Sequence, residues 1–313
     1  MFTSTDISNR FWNLPQKASE EINREQVFID DIIAKAHIER EIFSHLQGVK
    51  TVFDGGAGYG RFSIPLAKRG IEVTHFDISM PMIEAAKQLA AEAGVLDNMH
   101  FVHGSLEDLS AYQDDQFDMV LSFDAPISYT YPNHEMVIEN LVRICRSRII
   151  IGVYSRLAWT YHFDPAQKVK YILNHNTSDP FARWQIDIGA TQVPDHRPNM
   201  NAIRSFFQSG LMEPPEVTEQ AYAKGETPWP ISYAFMPDEL YAILERLGAG
   251  DIRLAGPGAL SRSIPGDVLR NIMNDAELKH DFLDFCYWYD SQPSCVGMGK
   301  DNIVANACIG GQF

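Results

Sequence analysis

Short apolar runs alternate with amphipathic segments over the first half of the chain. The runs are rich in β-branched and aromatic residues, and their length is typical of buried strands. They lie at residues 50–54, 72–76, 99–103, 117–123 and 148–154. Because strands that alternate with helices usually pair in parallel through right-handed crossovers, the pattern predicts an α/β fold with a parallel sheet.

The segments around this alternation divide the chain into four expected units. Residues 1–48 form an N-terminal arm that includes a long amphipathic helix, predicted over 19–47, and residues 49–154 hold the five strands. Residues 155–235 are rich in aromatic residues and prolines but lose the alternation. Since structureless loops of that length are rare in compact domains, this segment is expected to be a helical cap. Residues 236–313 return to the core pattern.

The C-terminal unit contributes the remaining core elements. A helix is predicted from 237 to 247, where Gly248 follows it, and a sixth strand at 251–254. A seventh strand is predicted at 302–308, and an aromatic helix over 278–289 lies between these two strands.

A glycine-rich turn follows the first strand. The strand ends at Asp54, glycines stand at 56, 58 and 60, and the second strand ends at another acid, Asp77. Glycines allow the backbone to turn tightly and to approach a ligand without Cβ atoms in the way. The next helix directs free N–H groups at that ligand, and an acid after the second strand can accept hydrogen bonds from two ribose hydroxyls. The unit therefore predicts a nucleotide-binding crevice at the carboxyl ends of the strands.

The spacing of the glycines excludes a dinucleotide fingerprint. G-x-G-x-x-G requires glycine at a position where Arg61 or Ser63 stands. The pattern D-x-G-x-G-x-G instead resembles the first motif of class I S-adenosylmethionine (AdoMet) methyltransferases. The resemblance implies a seven-stranded sheet, mostly parallel with an antiparallel last strand between strands five and six, and a cap insertion after strand five. It also implies AdoMet as cofactor and S-adenosylhomocysteine (AdoHcy) as product.

The resemblance continues through the second, third and fourth strands. A bulky residue such as Ile78 or Met82 packs on the adenine in this family, and Ser105 or Glu107 stands where the family contacts the adenine amino group. Residues after the fourth strand, beginning with Asp124, line the methyl-transfer site. The implied cofactor-binding residues are Asp54, Gly56, Gly58, Gly60, Arg61, Asp77, Ile78, Met82, Ser105, Leu106 and Asp124.

Methyl transfer asks little covalent chemistry of a protein. The protein aligns the acceptor, excludes water and in some reactions takes one proton. The candidate bases are Tyr129 and His162, and the candidate substrate contacts are Trp159, His196 and Arg197. Arg197 either clamps a substrate carboxylate or is a surface residue. Near the N-terminus, Phe11 and Trp12 either close over the cofactor or anchor the arm.

Composition narrows the class of substrate. The 313 residues include 26 Lys and Arg against 41 Asp and Glu, a net charge of −15, which disfavours nucleic acid as a partner. The four cysteines lack the spacing of a metal or redox site, so no metal is expected. Because neither a secretory signal nor an apolar run of roughly 20 residues is visible, we expect a cytoplasmic protein outside membranes. A homodimer is compatible with the sequence.

Three functions remain open from the sequence. The leading hypothesis is a methyltransferase for a small-molecule acceptor, with the cap defining that acceptor. The second is a carboxyl methyltransferase acting on tRNA or a peptide, because residues 82–102 and the end of the chain resemble bacterial tRNA methyltransferases that esterify a carboxymethoxyuridine. The third is a regulatory protein that binds AdoMet without turnover.

Overall fold

The computed structural model describes residues 3–27, 29–158, 200–212, 214–300 and 302–310. Among these residues, no helix has both the length and the apolar character needed to cross a membrane.

Seven strands form one sheet. Their bounds are β1 Thr51–Gly55, β2 Glu72–Asp77, β3 Met99–His103, β4 Phe117–Ser122, β5 Cys145–Tyr154, β6 Gly250–Ala255 and β7 Asn302–Cys308. The order across the sheet is β3-β2-β1-β4-β5-β7-β6. The first five strands pair in parallel, and β7 runs antiparallel to both β5 and β6. The predicted α/β fold is thus confirmed, including the position and direction of the seventh strand.

The fifth strand begins three residues earlier than the apolar run indicated. Two arginines, Arg146 and Arg148, lie in this first part of β5. Arg146 reaches Asp118 at 2.7 Å, and Arg148 donates to the side-chain oxygen of Asn306 at 2.6 Å. These cross-strand partners hold the polar start of the strand in the sheet, which an apolar run alone does not reveal.

The helices surround the sheet and add a docked N-terminal arm. In the described part of the chain the α-helices are α1 Ser4–Trp12, α2 Lys17–Val27, α3 Ile29–Phe43, α4 Ser63–Ala67, α5 Met80–Glu92, α6 His134–Ile144, α7 Met200–Ser209, α8 Pro215–Ala223, α9 Pro237–Arg246, α10 Gly266–Asn274 and α11 Ala276–Asp290. The helix predicted over 19–47 corresponds to α2 and α3, which lie on either side of residue 28. Part of the segment expected to form a cap, 159–199, lies outside the described residues.

The central strands are buried on both faces. On β5, Ile149 and Ile151 belong to one apolar cluster, whereas Ile150 belongs to the cluster on the opposite face. Val52 and Phe53 divide in the same way on β1. This explains why both strands appear as continuous apolar runs. The strand order reverses between β1 and β4, which is where open α/β sheets bind ligands.

Candidate functional site

A cleft opens at the carboxyl ends of the strands. Asp54, Asp77, Gly104 and Asp124, each at or just after the end of one of the first four strands, all line it. The three acids were expected at one crevice because they follow parallel strands, and the structure brings them together there with Gly104.

Asp77 closes the glycine loop onto the second strand. One carboxylate oxygen accepts from the backbone N–H of Gly58 at 2.7 Å, and the other accepts from that of Ser79 at 2.8 Å. Burial raises the pKa of Asp77 to about 6, against the opposing effect of these hydrogen bonds. Each oxygen still has capacity for a further donor, which is what a ribose diol requires.

The glycines of the loop have different roles. All three adopt left-handed φ angles, 72° at Gly56, 56° at Gly58 and 88° at Gly60. A Cβ atom at Gly56 would lie 2.4 Å from Pro126, so this glycine is required by protein packing. A Cβ atom at Gly58 would meet no protein atom within 4 Å, and Gly58 lines the cleft, whereas Gly60 turns the chain beside Ile64.

Gly58→Val is expected to abolish AdoMet binding by placing a side chain in the space that the loop leaves open. Gly48→Val is a matched control, since Gly48 also has a left-handed φ, 81°, and no protein atom within 4 Å of its Cβ position, but it lies before β1. Both variants should lose stability through backbone strain, on the order of 1 kcal/mol. Calorimetric titration should then show lost affinity for Gly58→Val alone, and equal affinities would mean that the loop does not contact the ligand.

Asp54 heads a buried chain of polar groups beneath the loop. The hydroxyl of Ser63 donates to its carboxylate at 2.6 Å, and the same hydroxyl lies 3.1 Å from Nδ1 of His75. Burial raises the pKa of Asp54 to about 7, and the neighbouring carboxylates of Asp77 and Asp124 contribute to this rise. Burial also lowers the pKa of His75 to about 4, so this imidazole is neutral at pH 7.

The raised pKa of Asp54 predicts a pH-dependent free energy of unfolding. An unfolded Asp titrates near pH 4, so between about pH 4 and 7 Asp54 is protonated in the folded state but not in the unfolded state. The stabilisation from this proton is fully present below about pH 4 and is lost as the pH rises through about 7. Asp54→Asn, which mimics the protonated form, should reduce the loss of stability between pH 5 and 7.5 by about 2 kcal/mol relative to the wild type. Urea denaturation of the ligand-free protein at both pH values measures this. Parallel pH profiles would contradict the assignment.

Asp124 is held as a carboxylate by two arginines. It accepts from Arg24 at 2.9 Å and from Arg61 at 3.0 Å. Burial favours its neutral form, but the two guanidinium groups hold the pKa of Asp124 well below its usual range. Arg61, implied by the family resemblance to bind the cofactor, does line the cleft, yet it also donates to the backbone carbonyl of Asp31 at 3.2 Å. The guanidinium of Arg61 thus connects Asp124 to the backbone of α3.

The N-terminal arm docks on the loop that follows Asp77. The hydroxyl of Ser79 donates to the carbonyl of Trp12 at 2.7 Å, and the side chain of Asn13 accepts from Met80 N–H at 3.1 Å. Phe11 is buried and anchors the arm, whereas Trp12 lines the cleft. Phe11 therefore has the anchoring role, whereas closure of Trp12 over the cofactor stays a prediction.

Tyr129 lies in the turn after β4. Its hydroxyl is hydrogen-bonded to that of Tyr154, at the end of β5, and the hydroxyl of Ser4 donates to its carbonyl at 2.6 Å. Burial raises the pKa of Tyr129 well above its usual range, and Tyr154 adds to the effect. Because the phenol is neutral at pH 7, Tyr129 is better suited to forming a hydrogen bond with the methyl acceptor than to acting as a base that deprotonates it.

The remaining predicted residues fall into two groups. Ile78, Met82, Ser105 and Leu106 line the cleft. The carboxylate of Glu107, the alternative to Ser105, instead accepts from Asn133 at 2.7 Å. The candidates Trp159, His162, His196 and Arg197 lie outside the described residues.

Sequence reasoning missed lining residues on the arm and near the cap. Those residues are Thr5, Ser8, Glu21, Arg24, Tyr154 and Trp229. Nothing in the local pattern of α1 and α2 distinguishes them from ordinary surface residues of amphipathic helices. Within the described part of the chain, no group of three or more His, Cys, Asp or Glu is arranged to hold a metal ion.

Comparison with known proteins identifies the core. The profile of a family described as Methyltransferase domain matches residues 52–148, from the first strand into the fifth. The core of this chain is a class I methyltransferase domain. The methyltransferase domain thus supplies the glycine loop, Asp77 and Asp124, whereas the arm and the C-terminal elements lie outside the matched region.

Curated relatives share this methyltransferase domain. The tRNA 5-carboxymethoxyuridine methyltransferase of Escherichia coli (strain K12) is 33% identical over 111 residues, which are 36% of this chain and 41% of that protein. The chloroplastic magnesium protoporphyrin IX methyltransferase of Arabidopsis thaliana is 31% identical over 125 residues, 40% of this chain and 38% of that protein. The chain therefore matches only about two fifths of the length of these relatives.

A solved structure shares this fold. Magnesium protoporphyrin IX methyltransferase from Synechocystis PCC 6803, solved with bound AdoHcy, aligns with a TM-score of 0.51 over 98% of this chain and 100% of that one. At 15% identity, this likeness concerns the fold.

Proposed function

We propose that this protein is an AdoMet-dependent methyltransferase that transfers the methyl group to a small-molecule acceptor by in-line displacement. The observation that carries the proposal is the placement of Asp77. Its carboxylate fixes the glycine loop through Gly58 and keeps lone pairs for two ribose hydroxyls in the cleft. The match of residues 52–148 to a methyltransferase domain supports the same cofactor.

The lining residues fit AdoMet in type and position. Asp77 would accept from the ribose, and Ile78 and Met82 would pack against the adenine. The open space beside Gly58 would admit the ligand close to the backbone. When bound, AdoMet supplies a methyl group made electrophilic by its sulfonium. The protein's part is to hold the acceptor in line with that group and to exclude water.

The acceptor side favours a small molecule. Trp12, Tyr129 and Trp229 line the same cleft as Asp124, and such rings suit a compact apolar or planar body. The net charge of −15 provides no general attraction for a polyanion. A second candidate, a methyltransferase acting on tRNA, is favoured by the 33% identity to the Escherichia coli tRNA enzyme. Affinity for bulk tRNA that falls steeply with salt would support that second candidate.

Calorimetric titration with AdoMet and with AdoHcy tests the cofactor assignment. We expect both to bind with micromolar affinity. Absence of binding to a folded sample would contradict the proposal. Transfer of a radiolabelled methyl group to a fraction of small metabolites, but not to tRNA, would then support a small-molecule acceptor. Binding without transfer to any fraction would instead favour a regulatory protein.

A further inference from the structure

Three aromatic rings that line the cleft pack edge to face against one another. The ring centroids of Trp12 and Tyr129 are 5.7 Å apart, those of Tyr129 and Trp229 are 6.2 Å apart, and those of Trp12 and Trp229 are 6.3 Å apart. We call these three residues the aromatic triangle. Aromatic faces attract cations as well as apolar groups, so the aromatic triangle alone does not determine whether the acceptor is charged or neutral.

Glu21 lines the same cleft, near enough to Tyr129 for its charge to act on that phenol, and it has an unused oxygen. One oxygen of its carboxylate accepts from Arg24 at 2.8 Å. The other has no hydrogen-bond partner among the described residues, and the side chain is 23% exposed where it lines the cleft. Glu21 can therefore accept a hydrogen bond from a ligand without giving up its ion pair.

Arg24 is engaged by the protein. Each of its three nitrogens lies beside a different carboxylate, those of Asp31 at 3.3 Å, Glu21 at 2.8 Å and Asp124 at 2.9 Å. A carboxylate ligand would have to compete with these partners and would also face Glu21. Like charges placed together cost free energy and exclude wrong ligands.

Ser8 supplies independent evidence that a polar ligand belongs here. It lines the cleft, it is 5% exposed, and its buried hydroxyl has no hydrogen-bond partner within the described parts of the chain. Buried hydroxyls are nearly always paired in folded proteins, so a group that remains unpaired requires an explanation. A ligand that donates or accepts a hydrogen bond at this point would provide the missing partner.

We propose that Glu21 makes this site selective for a positively charged amine acceptor that packs against the aromatic triangle. The proposal rests on the proposed function, because it concerns the acceptor half of the same cleft. The unused oxygen of Glu21 accepts a hydrogen bond from the ammonium group, and the aromatic rings stabilise the positive charge of that group. Arg24 is already paired with three carboxylates, so it does not stabilise a carboxylate ligand of the same shape.

The same residue can prepare the amine for transfer. An ammonium nitrogen has no lone pair, so it must first give one proton to the carboxylate of Glu21. Burial raises the pKa of Glu21, and the nearby Arg24 opposes this rise. The raised pKa favours transfer of the proton to Glu21. The nitrogen lone pair then forms the N–C bond while the electrons of the broken C–S bond stay on sulfur. The products are the N-methylated ammonium, a thioether and the proton on Glu21, which passes to solvent.

Binding of matched probes to the AdoHcy complex tests the selectivity without turnover. The probes are 2-phenylethylamine, 2-phenylethanol and 3-phenylpropionate, which share a phenylethyl group and differ in charge. By calorimetry, we expect the amine to bind at least about tenfold more tightly than the carboxylate, and Glu21→Gln to remove that preference. Glu20→Gln is the control, since Glu20 is the adjacent acid on α2 and pairs with Lys17 at 2.7 Å on the surface.

Three outcomes would overturn the proposal. The first is equal or tighter binding of the carboxylate, and the second is an equal loss of preference in both variants, which would show a general effect of charge. The third is the absence of binding by all three probes to the AdoHcy complex, which would show that the aromatic triangle does not hold such ligands. Failure of AdoHcy itself to bind would instead contradict the proposed function.

Discussion

Arg24→Met is expected to destabilise the protein by about 3 kcal/mol. The arginine neutralises three carboxylates, and removing one partner of a buried ion pair leaves the others without compensation. The loss should stay near the lower end of the range for buried pairs, because Lys300 still lies 2.5 Å from Asp31 and Arg61 still reaches Asp124 at 3.0 Å. Urea denaturation monitored by tryptophan fluorescence measures the difference.

An exposed ion pair provides the control for this variant. Arg246 pairs with Glu135 at 2.6 Å, and both side chains are more than half exposed. Arg246→Met should therefore cost less than about 1 kcal/mol. Equal losses in the two variants would mean that the cluster around Arg24 is as well hydrated as an ordinary surface pair.

Asp77→Ala is expected to weaken AdoMet binding by about 2–4 kcal/mol, or roughly 30-fold to 1000-fold. The variant removes the acceptor for two ribose hydroxyls and also releases the amide of Gly58, so the loop loses the anchor that holds its shape. Calorimetric titration of the folded variant measures the change in affinity.

A second carboxylate distinguishes this loss of affinity from a general loss of stability. Asp118 accepts from the backbone N–H groups of Lys50 and Thr51 at 2.9 and 3.0 Å, at the opposite end of β1 from the cleft. Asp118→Ala should lower stability while leaving AdoMet affinity unchanged. If Asp77→Ala also left the affinity unchanged, the ribose assignment would be wrong.

The sheet and the acids at the strand ends were predictable because short stretches of sequence determine them. Strands buried on both faces appear as short apolar runs, and residues that follow parallel strands must meet at one edge, which placed Asp54, Asp77 and Asp124 together. The start of β5 was not predictable, since Arg146 and Arg148 are held in the strand by Asp118 and Asn306, partners distant in sequence.

The acceptor side was not predictable for a related reason. Glu21 and Arg24 are three residues apart on α2, a spacing that is typical of a solvated ion pair on a helix surface. Only the docking of the arm, through contacts such as that between Trp12 and Ser79, turns this pair toward the cleft. Tyr154 gave no signal either, because its role depends on meeting Tyr129 from another strand.

The position of β7 has a consequence for how the protein reaches its native state. β5 lies between β4 and β7, and its residue Arg148 pairs with Cys308, 160 positions later in the chain. Pairs this distant are slow to form, because a long loop must close before any contact offsets the lost chain entropy. Until residues 302–308 arrive, the isoleucine run of β5 forms an open edge that can pair with another chain. We therefore expect refolding to be slow and its yield to fall as protein concentration rises.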